Sequence, residues 1–109
     1  MDVSSLNELV DELLTKARGA NAGRAAHTVH GGQEHQLRQT VIALASGHEL
    51  AEHDSPGEAT LQVLTGRVRL AGASGSAEGG VGSFMLIPLE RHSLAALEDS
   101  AVLLTVVVQ

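Results

Sequence analysis

The chain has 109 residues, a formal net charge of −6, no cysteine, tryptophan or tyrosine, and one phenylalanine, Phe84. One domain of this size buries roughly 60–70% of the surface its unfolded chain would expose. The acidic balance and scattered basic residues argue against a nucleic-acid partner, the lack of aromatic faces against stacking of sugars or bases, and the lack of thiols against disulfides or cysteine chemistry.

The N-terminal MDVSSLNELVDELL carries acids where a secretion signal would carry basic residues, and no apolar run reaches the roughly 18 residues of a membrane span. A cytoplasmic protein with no membrane partner is expected. Residues 4–18 predict one amphipathic helix, because Leu6, Leu9, Val10, Leu13, Leu14 and Ala17 recur at helical steps. Ser5 and Glu8 have capping-box spacing, and Lys16 and Arg18 suit the negative end of the helix dipole. Gly19 and Gly23 close the helix and open a linker, so residues 1–24 are expected to form a helix and linker ahead of a unit spanning 25–109. The apolar stripe must cover either the outside of that unit or a second subunit.

From about residue 25 the pattern turns to strands. AAHTVH and HQLRQTVIALA flank Gly31-Gly32, and TLQVLTGRVRLAG follows with Gly66 inside it. ASGSAEGGVGS predicts a polar hairpin connection, SFMLIP a short strand stopped by Pro88, and AVLLTVVV a central strand buried on both faces. Phe84 and Met85 are expected in the core. Arg67 and Arg69 share one strand face, expected to be exposed, and Glu90 and Arg91 are expected as solvated charges in a turn. Short strands spaced by Gly, Pro and Ser turns, without a second long helix, make this an all-β sandwich or barrel with one N-terminal α-helix.

GHELAEHDSPGEATLQVLTG, Gly47 to Gly66, then resembles the first cupin motif, G-x5-H-x-H-x(3,4)-E-x6-G. Gly82, Pro88 and His92 resemble the second, with a turn one residue short and lacking its usual glycine. The resemblance is to small single-domain bacterial cupins. It implies a double-stranded β-helix (an RmlC-like jelly-roll barrel) and a homodimer, often with exchanged terminal strands. Carried over residue by residue, His53 and His92 match two metal ligands, while Ser55 and Ala59 stand where the family has histidine and glutamate. The first motif is degenerate, and two imidazoles alone hold a transition metal weakly, since catalytic sites usually use three protein ligands. A third ligand would have to come from Glu58, from His48, or from His27, His30 or His35. Strand alternation points Glu58 away from the site, unless the Pro56-Gly57 turn rotates it inward. Asp54-Ser55-Pro56-Gly57 is a turn sequence in its own right.

Two readings of the site follow. His53 and His92 are relics bonded to backbone or water, or with Ser55 and Ala59 they line a small polar pocket suited to acid–base or anion-sensing work. Three functions follow in turn. The first is a small-molecule-binding or regulatory module with no cofactor. The second is a metal-dependent enzyme of dioxygenase or isomerase type, using His53, His92 and a divalent transition metal. The third is an interaction protein acting through its dimer surface.

Overall fold

The computed structural model describes residues 1–55 and 57–108. One helix, α1 (Leu6–Gly19), precedes nine strands: β1 (Arg24–His30), β2 (Leu37–Leu44), β3 (Glu49–His53), β4 (Glu58–Thr65), β5 (Arg67–Gly72), β6 (Gly75–Gly80), β7 (Phe84–Leu86), β8 (His92–Ala96) and β9 (Ser100–Val107). They form a five-stranded sheet in the order β1-β2-β9-β4-β7 and a four-stranded sheet in the order β3-β8-β5-β6. Every pairing is antiparallel. This is the jelly-roll arrangement expected from the sequence.

The helix starts where a side chain satisfies an orphan donor of its first turn: Ser5 Oγ accepts from the Glu8 N–H at 3.2 Å. Its stripe of Val10, Leu13, Leu14 and Ala17 packs on Val41, Ala43 and Ala101, on the outward face of the five-stranded sheet. The stripe is therefore covered by its own sheet, which removes one of the reasons for expecting a dimer. Arg18 fixes the helix end, its Nε donating to Asp99 Oδ2 at 2.7 Å, while Asp99 Oδ1 accepts from the Ser46 N–H at 2.8 Å. These bonds, the Ser46 N–H first, hold the Asp99 carboxyl below the usual aspartate range.

The other face of the sheet closes a second core, where Leu44, Leu61, Val63 and Val102 meet Val68, Leu70, Leu94 and Ala96 of the four-stranded sheet. β9 lies between β2 and β4 and contributes to both cores, Ala101 outward and Val102 inward. Its near-continuous apolar sequence, interrupted by Thr105, follows from burial on two sides. Between β4 and β5 the chain turns at Gly66, with φ +81. A Cβ there would come within 2.2 Å of Ser100 Oγ and 2.3 Å of the Asp99 carbonyl oxygen, so only glycine fits.

Two expectations fail. Residues 75–80, expected as a hairpin connection, form β6, an edge strand paired with β5 from Arg67↔Gly80 to Gly72↔Gly75. Phe84 is 64% exposed on edge strand β7, and only Met85 of that pair is buried. The face of β7 that carries Phe84 and Leu86 continues over Gln62 and Thr60 of β4, beyond the ground covered by the helix.

Candidate functional site

The two histidines of the cupin-like motifs meet across β3 and β8. His53 is the register partner of His92, and their ring centroids are 4.5 Å apart in an edge-to-face arrangement. Local backbone geometry produces this. Leu50 pairs with Leu94 and His53 with His92, so three steps on β3 match two on β8, which is a β-bulge. Simple alternation from the inward Leu50 would turn His53 away from His92; the extra residue brings its ring against that of His92, although His53 itself stays exposed at the rim. On β8, His92, Leu94 and Ala96 alternate inward and are buried. The short turn before β8 therefore leaves the imidazole of His92, 3% exposed, inside the barrel.

Each ring is fixed in the same way. His53 Nδ1 lies 2.8 Å from the Ala51 carbonyl oxygen, and His92 Nδ1 lies 2.9 Å from that of Glu90. A carbonyl only accepts, so each Nδ1 carries the proton and each neutral ring keeps its lone pair on the distal Nε2. The surrounding turn is held by ion pairs. Arg91 Nε donates to Glu52 Oε1 at 3.0 Å and Arg91 Nη1 to Asp54 Oδ1 at 3.1 Å, tying the exit of β3 to the entry of β8. The hydrogen bond that Arg91 donates to Glu52 and the charge of Asp54 raise the pKa of Arg91. Glu90 accepts from the Ser74 hydroxyl at 2.5 Å, which holds its carboxyl below the usual range. Glu90 and Arg91 are thus partnered, not simply solvated. Arg67 and Arg69 both pair with Glu78 on the exposed face of β5.

His53 and His92 line a small, partly open cavity with Ile42, Leu50, Leu61 and Leu70. It holds about 30 Å³, room for water and not for an organic ligand, which needs roughly 300 Å³ or more. Ser55 lies past the end of β3, half-buried, with its hydroxyl donating to the Gly57 carbonyl at 3.1 Å. Ala59 is buried in the inner core opposite Val106. Neither is among the described residues that line the cavity.

The remaining candidate ligands are spread over the molecule. Glu58 is exposed, on the face of β4 opposite to Ala59. The proposed rotation of the Pro56-Gly57 turn falls partly outside the described residues, since Pro56 is not among them. The ring of His48 fills the space that a Cβ on Gly23 would need. His27 and His30 are exposed on β1, paired with Val41 and Gln39, and the ring of His30 lies 4.6 Å from that of His35. Among the described residues no three His, Asp or Glu side chains converge where they could hold a metal ion. Two imidazoles, a methyl group and a hydroxyl already engaged do not fit the three-ligand requirement of a catalytic transition-metal site. The β3 bulge that aims His53 and the Nδ1 bonds that orient both rings have no sequence motif and were not anticipated.

No protein-family profile matches the chain, and no curated protein matches it either. Solved structures do. A conserved protein of unknown function from Streptococcus pyogenes superposes with a TM-score of 0.72 at 27% identity, covering 83% of this chain and 78% of that one. An RmlC-like cupin protein from Desulfovibrio desulfuricans gives 0.67 at 23% identity, covering 77% and 81%. A salicylate 1,2-dioxygenase from Pseudaminobacter salicylatoxidans gives 0.74 at 21% identity, covering 91% of this chain and 33% of that one. Among the described residues, no helix is long and apolar enough to cross a membrane. The chain has the jelly-roll fold of the RmlC-like cupin proteins.

Proposed function

We propose that the chain is a cupin-fold module that binds a small molecule or regulates through one, and that it works without a resident metal. One observation carries this: of the four ligand positions of the cupin motifs, two hold imidazoles, while Ser55 donates its hydroxyl to Gly57 and Ala59 offers only a methyl group. A serine hydroxyl stays protonated near neutral pH and is a poor ligand for zinc, iron or manganese. Elemental analysis of protein purified without a histidine tag should find well under one transition metal per chain. Stoichiometric metal, lost when His53 and His92 are replaced by Ala, would overturn the proposal.

A specific observation favours the enzymatic alternative. Both Nδ1 atoms are bonded to backbone carbonyls, the arrangement that orients ligating histidines in metal sites. Under that reading a dioxygenase or isomerase would take a third ligand from outside the pair, and the same elemental analysis decides. A homodimer in the cytoplasm is the assembly we propose. Support for the dimer comes from the exposed Phe84 and Leu86 on the uncovered part of the five-stranded sheet. If that surface alone carries the function, the barrel interior is inert.

A further inference from the structure

β1 and β3 are edge strands of their sheets, and together with β2 they line an open groove of about 320 Å³. This is some ten times the volume of the histidine cavity and lies in the range of small-molecule sites. Its walls are Arg24, Ala25, Ala26, Thr40, Ile42 and Leu50. Register explains most of the grouping: Ala26↔Ile42 and Thr28↔Thr40 are partners across the β1–β2 ribbon and Arg24 shares a strand face with Ala26, while Ala25 lines the groove and also packs against the helix cluster. Ile42 and Leu50 also line the histidine cavity, so these two side chains partition the groove from it.

The charge in this groove is of one sign. The chain has 13 acidic residues against 7 basic ones, yet Arg24 is the one charged residue lining the groove among the described residues. Arg18, Arg67, Arg69 and Arg91 are each held by a carboxylate, whereas Arg24 forms no ion pair among the described residues. Beside it the wall offers one hydroxyl, Thr40 Oγ1, in a long 3.4 Å contact with Thr28 Oγ1 that leaves it able to turn. The rest is aliphatic. A planar guanidinium at one end of an aliphatic trough matches a carboxylate carrying an apolar body, because the fork of donors pairs with both carboxylate oxygens while the hydrocarbon leaves water.

We infer that the groove between β1 and β3 binds a small amphipathic monocarboxylate, with Arg24 on the carboxylate and Ala26, Ile42 and Leu50 against its hydrocarbon part. This rests on the proposed binding function and gives it a place and a ligand class.

Octanoate titrated into the full-length, 15N-labelled protein tests the inference, with octanol as the uncharged control. Saturable amide shifts should centre on residues 24–28, 40–42 and 49–51. Arg24→Gln should weaken octanoate binding about tenfold, since a charge-assisted bond is lost, while Arg67→Gln should leave it unchanged. Ala26→Leu, which fills the trough and keeps the charge, should weaken binding at least as much and provides a second variant should Arg24→Gln fold poorly. Octanol should bind at least tenfold more weakly than octanoate. Equal affinity in wild type and both variants, or no saturable shift in the groove, overturns the inference. Shifts confined to the amides around His53 and His92 overturn it too, but leave a metal-free binding module standing. Stoichiometric metal in the purified protein sinks that module and leaves the groove titration to be judged by itself.

Discussion

Changing Ser55→His and Ala59→Glu together places the two missing ligand types on the scaffold that already orients His53 and His92. Ala59 is 6% exposed and faces inward from β4, so the new carboxylate enters the inner core beside Val106. Without metal, that buried charge costs roughly 3 kcal/mol or more. For a domain of this size the melting temperature should fall by on the order of 10–20 °C. Metal reverses the sign. A ligand at about 100 times its Kd returns about 2.7 kcal/mol, so excess zinc or nickel should recover most of the loss. The imidazole at position 55 is the demanding part, because Ser55 lies beyond the end of β3 and its hydroxyl folds back onto Gly57. Thermal melts with and without metal, and calorimetric titration of both proteins, give the result. A folded double variant that binds zinc no better than wild type, and melts at the same temperature with or without it, refutes the proposed alignment of these positions with the cupin ligands.

Further expectations follow from the fold. Leu13→Ala, at a position 3% exposed between helix and sheet, should cost about 2–5 kcal/mol in urea unfolding, and a loss under 1 kcal/mol would mean the helix is loosely docked. Deleting residues 1–19 should leave a folded barrel of lower solubility or altered oligomeric state, because Val41, Ala43 and Ala101 lose their cover; an unchanged mass and melting temperature would count against it. Gly66→Ala should destabilise more than a typical surface change, since its Cβ meets the Asp99 backbone; wild-type stability would contradict the described turn. The Asp99 carboxyl has a folded pKa below its unfolded one, so its contribution is complete above about pH 4 and is lost as pH falls further. Asp99→Asn should flatten acid denaturation in that window, and an unchanged acid profile would show that the helix anchor does not respond to charge. Phe84→Asp with Leu86→Asp should convert a dimer to monomer by light scattering, and a dimer of unchanged mass would move the interface elsewhere.

Much of the fold was legible because burial leaves period and composition in the sequence. The Leu and Val steps of α1 and the near-continuous apolar run of β9 each reflect one physical environment. Gly66 stood out in the sequence only as a glycine inside an apolar run and at the end of the motif; the positive φ and the close approach of Asp99 that require it belong to the fold. β6 was not legible. Its Gly and Ser residues have low strand propensity, and it is a strand because β5 supplies a ladder of partners. Phe84 misled in the opposite direction: a large apolar residue on a three-residue edge strand faces outward because Met85 takes the inward position. At the site, the motif spacing located His53 and His92 but not their geometry. A bulge at Ala51 and Glu52 and two bonds to main-chain carbonyls decide that geometry, and neither depends strongly on side-chain identity. The commitment of Ser55 to Gly57 is likewise a property of the turn.

The position of β9 has a kinetic consequence. It follows every other strand in the chain, yet it sits between β2 and β4 and holds both in register. Until it arrives, β2 and β4 each present an unpaired apolar edge, and the docking ground of the helix lacks Ala101 and Leu103. Closing the sheet joins residues about sixty positions apart, Val41 with Leu103 for example, so loop-closure entropy opposes the step until late. Such non-local pairing places all-β domains in the millisecond-to-second range of folding times. During that interval the open edges of β2 and β4 are the surfaces most exposed to pairing with another nascent chain.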